Sequence, residues 1–264
     1  MTYYRKALYD EMTSFYIITS LDDADDLNRI RSFMGALVRK ARSALTEEMN
    51  TKQKVEKLLK LMYQDWGFHC NPDNYFELEN LYLNKVLENH YGMPVSLGAI
   101  ILYLAESLDL PIYPINFPTQ LILRVDIEDD IFFIDPWNGK KITLEKLQKL
   151  YEGALGFGAK LNEEDLKIAD SRLIISRFCQ LAKNALLREE KNYQALKYIE
   201  SLLRQNPDDP YERRDRGISL VQLGCFKAAL EDFNFFIEKC PEDPAALLLA
   251  AQLDDLKKEV TSVQ

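Results

Sequence analysis

The sequence has only two histidines, His69 and His90, among 264 residues. That scarcity bounds the chemistry, because imidazole is the side chain that most readily takes up and returns a proton near neutral pH. Cysteine is also thin: Cys70, Cys179, Cys225 and Cys240 are scattered with no CxxC pair and no metal-ligand spacing. They read as reduced, mostly buried thiols, and neither a metal nor a cofactor is expected. No stretch approaches the roughly 18 consecutive apolar residues that a membrane-spanning helix needs. The opening MTYYRKALYDEM carries Arg5, Lys6, Asp10 and Glu11 with no apolar core of signal-peptide length, so a cytoplasmic location is expected. Nor is there an excess of positive charge. Lys and Arg number 33 against 42 Asp and Glu, a net charge of −9, and an acidic body repels the phosphates that supply most nucleic-acid affinity. The one short basic run, Arg39-Lys40-Ala41-Arg42, sits on a predicted helix and reads as a solvated face.

What is present is an ordinary globular composition, 47% hydrophobic and 28% charged, in a chain long enough to bury a core without covalent staples. The organising stretch is His90 to Gly139. Val95 to Ala105 is interrupted only by Ser96, Gly98 and Tyr103, which is too continuous for a surface helix and too long for one strand. It predicts a buried helix opening at Pro94, where a missing amide hydrogen costs nothing, and ending near Asp109. Three short apolar segments follow, Ile112 to Phe117, Gln120 to Val125 and Ile131 to Ile134. The last two flank the acidic run from Asp126 to Asp130 and predict a hairpin. A central helix against an antiparallel sheet is the expected unit.

Three helices precede it. Residues 3 to 19 hold a loose helical period, and Asp22 to Asp26 offer N-caps for a second helix through Ala44, with Leu27, Ile30, Phe33, Met34, Leu37 and Val38 on one face. A third, from Thr51 to Gln64, turns Val55, Leu58, Leu59 and Met62 inward. Asn71-Pro72-Asp73-Asn74 is a turn cluster, and Leu81 to Tyr91 predicts a short helix. After Gly139, Thr143 can cap a helix reaching Tyr151. The three glycines between Gly153 and Lys160 read as a flexible linker, and Gly156-Phe157-Gly158 alone is weak evidence for phosphate binding.

The last third carries a period. Pro207 and Pro241 are 34 residues apart, as are Ala195-Leu196 and Ala229-Leu230, which is the tetratricopeptide spacing. Gly217, Gly224, Phe226, Ala229 and Pro241 occupy positions where two antiparallel helices must nest, and Pro244 to Val260 supplies a final, charged, capping helix.

The helix-then-sheet order resembles the transglutaminase-like branch of the papain-type fold, on Leu110-Pro111, Gln120 and Asp135-Pro136. More closely, the chain is similar to the bacterial Salmonella-invasion-regulator B family. The words that carry this are Tyr63-x-Asp65-Trp66-Gly67-Phe68, Val95-Ser96-Leu97-Gly98-Ala99, Phe117-Pro118-Thr119-Gln120-Leu121-Ile122-Leu123-Arg124, Pro136-Trp137-Asn138-Gly139 and Asp215-Arg216-Gly217. The resemblance implies an α+β papain/transglutaminase-like core with N-terminal helices, followed by an all-α tetratricopeptide-repeat domain. The expected division is 1–152 for the transglutaminase-like domain (1–64 helical cover, 65–152 core), 153–169 for a linker and 170–264 for the repeats.

In that branch a nucleophilic Cys opens the buried helix, a His lies on the second strand, and an Asp closes the third. The Cys position falls near Pro94 when counted back from Pro111 and at Ser96 when helix starts are matched; the His position holds Gln120; only Asp135 remains. A Ser96-His90 pair and a relocated Cys70 are the catalytic alternatives, which would make the protein a cysteine- or serine-type hydrolase or acyl transferase. The favoured expectation is a pseudoenzyme with no catalytic residue, because glutamine cannot relay a proton and an unactivated serine hydroxyl is a poor nucleophile. The inherited cleft, with Ser96, Gln120, Asp135, Trp137 and Asn138 as its rim, would then bind a protein or peptide. A regulatory role through a protein partner follows from the resemblance, with no membrane, no direct nucleic-acid contact and no particular oligomeric state implied.

Overall fold

The computed structural model describes residues 5–20, 25–73, 75–128 and 130–262, with backbone alone at 255 and 258–262. Residues 3 and 4, the cap candidates Asp22 and Asp23, Asn74, Asp129 and the side chains of Asp255, Lys258 and Glu259 lie outside it. The chain divides into two compact units: Met1–Ile17 with Asp22–Leu181, and Ile18–Leu21 with Ala182–Gln264. No helix among the described residues is long and apolar enough to cross a membrane.

In the first unit, α1 (Ala7–Thr19), α2 (Asp25–Ala44) and α3 (Thr51–Lys60) come first. The buried stripe of α2 is Ile30, Met34, Leu37 and Ala41, a strict alternation of four- and three-residue steps. Phe33, one residue off that stripe, is 41% exposed rather than inward. Asn50 and Gln53 cap α3 reciprocally, and Val55, Leu58, Leu59 and Met62 are buried as their spacing predicts. The predicted α3 does not run to Gln64 as one α-helix. Its end widens into a π-helical turn, Leu61–Asp65, where the Trp66 amide reaches back five residues to the Leu61 carbonyl.

Two short strands, β1 (His69–Cys70) and β2 (Tyr91–Gly92), pair in parallel around α4 (Leu83–Asn89). Then comes α5 (Pro94–Ser107), with proline in its first turn and ten buried residues, so it is enclosed on nearly every side. Four strands follow, β3 (Ile112–Pro114), β4 (Leu123–Ile127), β5 (Asp130–Asp135) and β6 (Lys140–Ile142), antiparallel in chain order. Leu123 faces Ile134 and Ile112 faces Val125 across the ladder, giving one buried side of the sheet. Phe133 and Ile142 share the other side with Ile115, Phe117, Ile122 and Leu147 of α6 (Leu144–Leu155). Thr143 caps α6 as predicted, accepting from the Lys146 amide at 3.2 Å.

The first strand is shorter than Ile112 to Phe117. Past Pro114 the ladder changes partner: Ile115 bridges Ile168, the Asn116 amide donates to Lys167, and the Ala169 amide donates to Pro114, whose carbonyl is intact although it has no N–H. Part of the stretch expected as a linker, 153–169, is thereby hydrogen-bonded to the sheet edge, and Leu161 and Leu166 pack on the cluster around Phe117. Its glycines are local. Gly153 lies within α6, while Gly156 and Gly158 take positive φ in the turn that leaves it. Helix α7 (Ser171–Arg188) comes next, and the division between the units falls along it.

In the second unit α8 (Asn192–Gln205) and α9 (Pro210–Gln222) are repeated 34 residues on by α10 (Phe226–Lys239) and α11 (Pro244–Ser262). Gly217 lets α9 and α10 approach closely, since a Cβ there would stand 2.5 Å from the Phe233 ring. Ala229 and Phe233 are buried beside Leu220, whereas Phe226 is half-buried and Pro241 is exposed after α10 ends. Charges tie the helices together. Lys183 is 1% exposed and donates to Asp215 at 2.8 Å and Glu212 at 2.6 Å, while Arg216 grips the buried Asp232 with two bonds of 2.7 Å. Burial alone would lower the Lys183 ammonium, but its two carboxylate partners more than offset that and hold it above the usual lysine range.

Gly217→Ala is expected to destabilise the repeats by about 1–3 kcal/mol through overpacking against Phe233. Urea unfolding followed by far-UV circular dichroism measures it, and an unchanged midpoint would mean that the ring moves aside without cost.

Candidate functional site

The start of α5 is where a transglutaminase-like chain carries its nucleophile, and Gly98 sets how closely the sheet can cover it. A Cβ there would lie 2.3 Å from Leu121 and 3.6 Å from Pro136, so the loops after β3 and β5 close over the helix N-terminus. Ser96, two residues earlier and therefore on another side of the helix, is fully buried against Gly92 of β2, where a Cβ would stand 2.5 Å from its hydroxyl. Its hydroxyl accepts from the Met93 amide at 2.9 Å and donates to the Met93 carbonyl at 3.0 Å, so both of its hydrogen-bonding roles are spent on the helix start. Ser96 does not line an open rim.

Neither histidine reaches it. His90 ends α4 in the left-handed conformation, φ 60°, and its exposed ring stacks on Phe68 with centroids 4.7 Å apart. His69, on β1, hydrogen-bonds through Nδ1 to the Gly67 carbonyl at 2.9 Å. Among the described residues no hydrogen bond joins either imidazole to Ser96 or Cys70. Gln120 is half-exposed in the bend three residues before β4, rather than on the strand where it was expected.

Asp135 closes β5 and opens the turn to β6. Its Oδ1 accepts from the Trp137 amide at 2.9 Å and its carbonyl from Gly139 at 2.9 Å, while Asn138 Oδ1 accepts from the Lys140 amide at 3.0 Å. Asp-Pro-Trp-Asn-Gly is therefore first of all a hairpin turn. The carboxyl is also half-buried. Burial raises it above the usual carboxylate range, against the Trp137 hydrogen bond and the distant charge of Lys146, which lower it.

Around Asp135 gathers a group that only partly coincides with the predicted rim. Tyr63, from the π-helical turn, donates its hydroxyl to the Pro136 carbonyl. Tyr75 stacks on Trp137 with centroids 5.4 Å apart and planes at 28°. Cys70, at the end of β1, is 7% exposed, and burial first, then the Asp135 charge, pushes its thiol up to about 12. The same charge is felt at Tyr63 and Tyr75, after burial, and raises both phenols. Cys70 is thus a protonated thiol beside a carboxylate, the opposite of the low-pKa thiolate that acyl transfer requires. Tyr63 and Tyr75 were missed by sequence reasoning, although Tyr63 opens one of the words that carry the family resemblance. Among the described residues no cluster of His, Cys, Asp and Glu is arranged to hold a metal ion.

The decisive comparison is a profile of the transglutaminase-like superfamily, which matches residues 28–180, more than half of the chain. The chain belongs to the transglutaminase-like superfamily. A tetratricopeptide-repeat profile covers residues 182–254 of the same protein. A UPF0162 protein of Pasteurella multocida is 54% identical to this transglutaminase-like chain over 98% of both. The UPF0162 protein YchA of Escherichia coli K12 is 39% identical over 90% of this chain and 86% of its own. Protein SirB1 of Salmonella typhimurium is 40% identical over 83% and 82% respectively. No solved structure matches significantly.

Two outcomes follow from the electrostatics. Because folding raises the Asp135 carboxyl, its charged form is unfavourable at neutral pH and the penalty fades as pH falls through the folded value into the ordinary carboxylate range. Asp135→Asn, which keeps the bond from the Trp137 amide, is expected to raise the thermal midpoint slightly at pH 7 and to lose that gain in mild acid; lower stability at pH 7 would reveal a cationic partner for the carboxylate. Limited alkylation at pH 8 with peptide mapping is expected to modify the exposed Cys225 first and to spare Cys70 until denaturation. Fast labelling of Cys70 in the folded protein would contradict a raised thiol.

Proposed function

We propose that this transglutaminase-like protein is a non-catalytic binding module that recognises a protein or peptide partner in the cytoplasm. The observation that carries this reading is the isolation of Asp135 from any imidazole, with the two histidines engaged by Phe68 and Gly67. Acyl transfer by a nucleophile needs a base within hydrogen-bond reach, and losing that base removes most of the catalytic contribution because such residues act as a unit. The Ser96 hydroxyl, buried and doubly bonded to Met93, adds no nucleophile. The surface around Asp135, with Trp137, Asn138 and Tyr75, keeps amide and aromatic groups suited to a peptide. Tetratricopeptide repeats, which stack into extended surfaces, support protein interaction as the task of the second unit. A regulatory role accords with the family resemblance.

The catalytic alternative, a relocated Cys70 nucleophile, is opposed by burial and the Asp135 charge, which keep that thiol protonated.

Incubation of the full chain with thiol- and serine-directed acylating probes, followed by mapping, separates the two. The proposal expects no fold-dependent label on Ser96 or Cys70, and retention of bound protein partners that is weakened by Trp137→Ala or Phe226→Glu. Selective labelling of Cys70 or Ser96 that vanishes on denaturation would establish the enzyme reading instead.

A further inference from the structure

Asp135 is a half-buried carboxylate that forms no ion pair among the described residues. Its Oδ1 holds the Trp137 amide, and no donor among those residues reaches its Oδ2. The one cation whose charge it feels, Lys146, is exposed and acts through space. The neighbourhood is aromatic. Trp137 and Tyr75 stack at 5.4 Å, Tyr75 meets Phe76 edge-on at 4.9 Å and 89°, and Phe76 is 63% exposed. Tyr63 is tied to Pro136 and leaves the carboxylate free of a phenolic donor.

A carboxylate without a counter-charge, two residues from a stacked Trp137–Tyr75 pair, calls for a particular ligand chemistry. The geometry points to an arginine side chain of a peptide partner, its guanidinium donating to Asp135 while lying against the Trp137 and Tyr75 rings. Three properties of guanidinium fit. It is planar, so it stacks on an aromatic face; it donates in a fork that matches a carboxylate; and it is more weakly hydrated than an ammonium, so a half-buried site desolvates it at lower cost. A net charge of −9 draws a basic peptide toward the chain. This inference rests on the cleft-binding reading above and narrows it to one class of ligand.

The test uses the full chain and three blocked tripeptides, Gly-Arg-Gly, Gly-Lys-Gly and Gly-citrulline-Gly, followed by NMR at the Trp137 indole N–H. Citrulline keeps the shape of arginine and removes its charge. The inference expects saturable shifts with the arginine peptide, affinity at least about tenfold weaker for citrulline, and a similar loss on Asp135→Asn, as for a charged hydrogen bond deprived of its partner. Trp137→Leu, which keeps the carboxylate and removes both the stacking face and the indole probe, is followed by isothermal titration calorimetry and is expected to weaken the arginine peptide toward the lysine one. Equal binding of arginine and citrulline, or of arginine and lysine, would overturn the guanidinium assignment and leave the cleft as a binding surface. No response to any peptide, together with acyl-probe labelling of Cys70, would overturn both.

Discussion

The enclosure of α5 is the constraint from which the rest of the first unit follows. A helix buried on nearly every side has no solvent to satisfy its first amides, so its N-terminus must be closed from within the protein. Ser96 does this by bonding both ways with Met93, and Gly98 allows Leu121 and Pro136 to seal the outside. The Ser96 hydroxyl is committed at the helix start, one bond accepted from and one donated to Met93.

The other residues singled out by the resemblance are placed apart from Ser96. Asp135 has a structural duty as the first residue of the β5–β6 turn. Gln120 sits in a bend ahead of β4. Cys70, Tyr63 and Tyr75 converge on Asp135 from β1, from the π-helical turn and from the turn after β1. Every shift among them points the same way, toward the uncharged form of each acid, because burial dominates and the Lys146 charge offsets it only in part at Asp135.

The sequence carried the large elements because their signals were local. The unbroken apolar block from Val95 to Ala105 announced α5, the acidic run between two apolar segments announced the β4–β5 hairpin, and the 34-residue spacing announced the paired helices of the second unit. What escaped was set by tertiary context. Phe33 keeps helical spacing yet stays exposed, because its neighbour Met34 takes the inner place. The widening of α3 into a π-helical turn leaves no mark in composition, and with it went Tyr63. The glycines near 156 were read as flexibility when they shape one turn beside a segment paired to the sheet. The rim residues fared unevenly for the same reason. Trp137 stacks on Tyr75 at the proposed patch and Asn138 braces the turn beside it, but Ser96 is enclosed where β2 meets the start of α5, with its hydroxyl against Gly92.

The bridge between Ile115 and Ile168 has a consequence for biosynthesis. β3 is made early, yet its outer edge is completed by backbone that emerges only after α6 and the turn beyond it. During translation the hairpin therefore exists for a time with an unprotected margin, the kind of surface that recruits stray strands or chaperones. Completion of the sheet edge waits on residue 169, so a pause shortly before it prolongs that exposure.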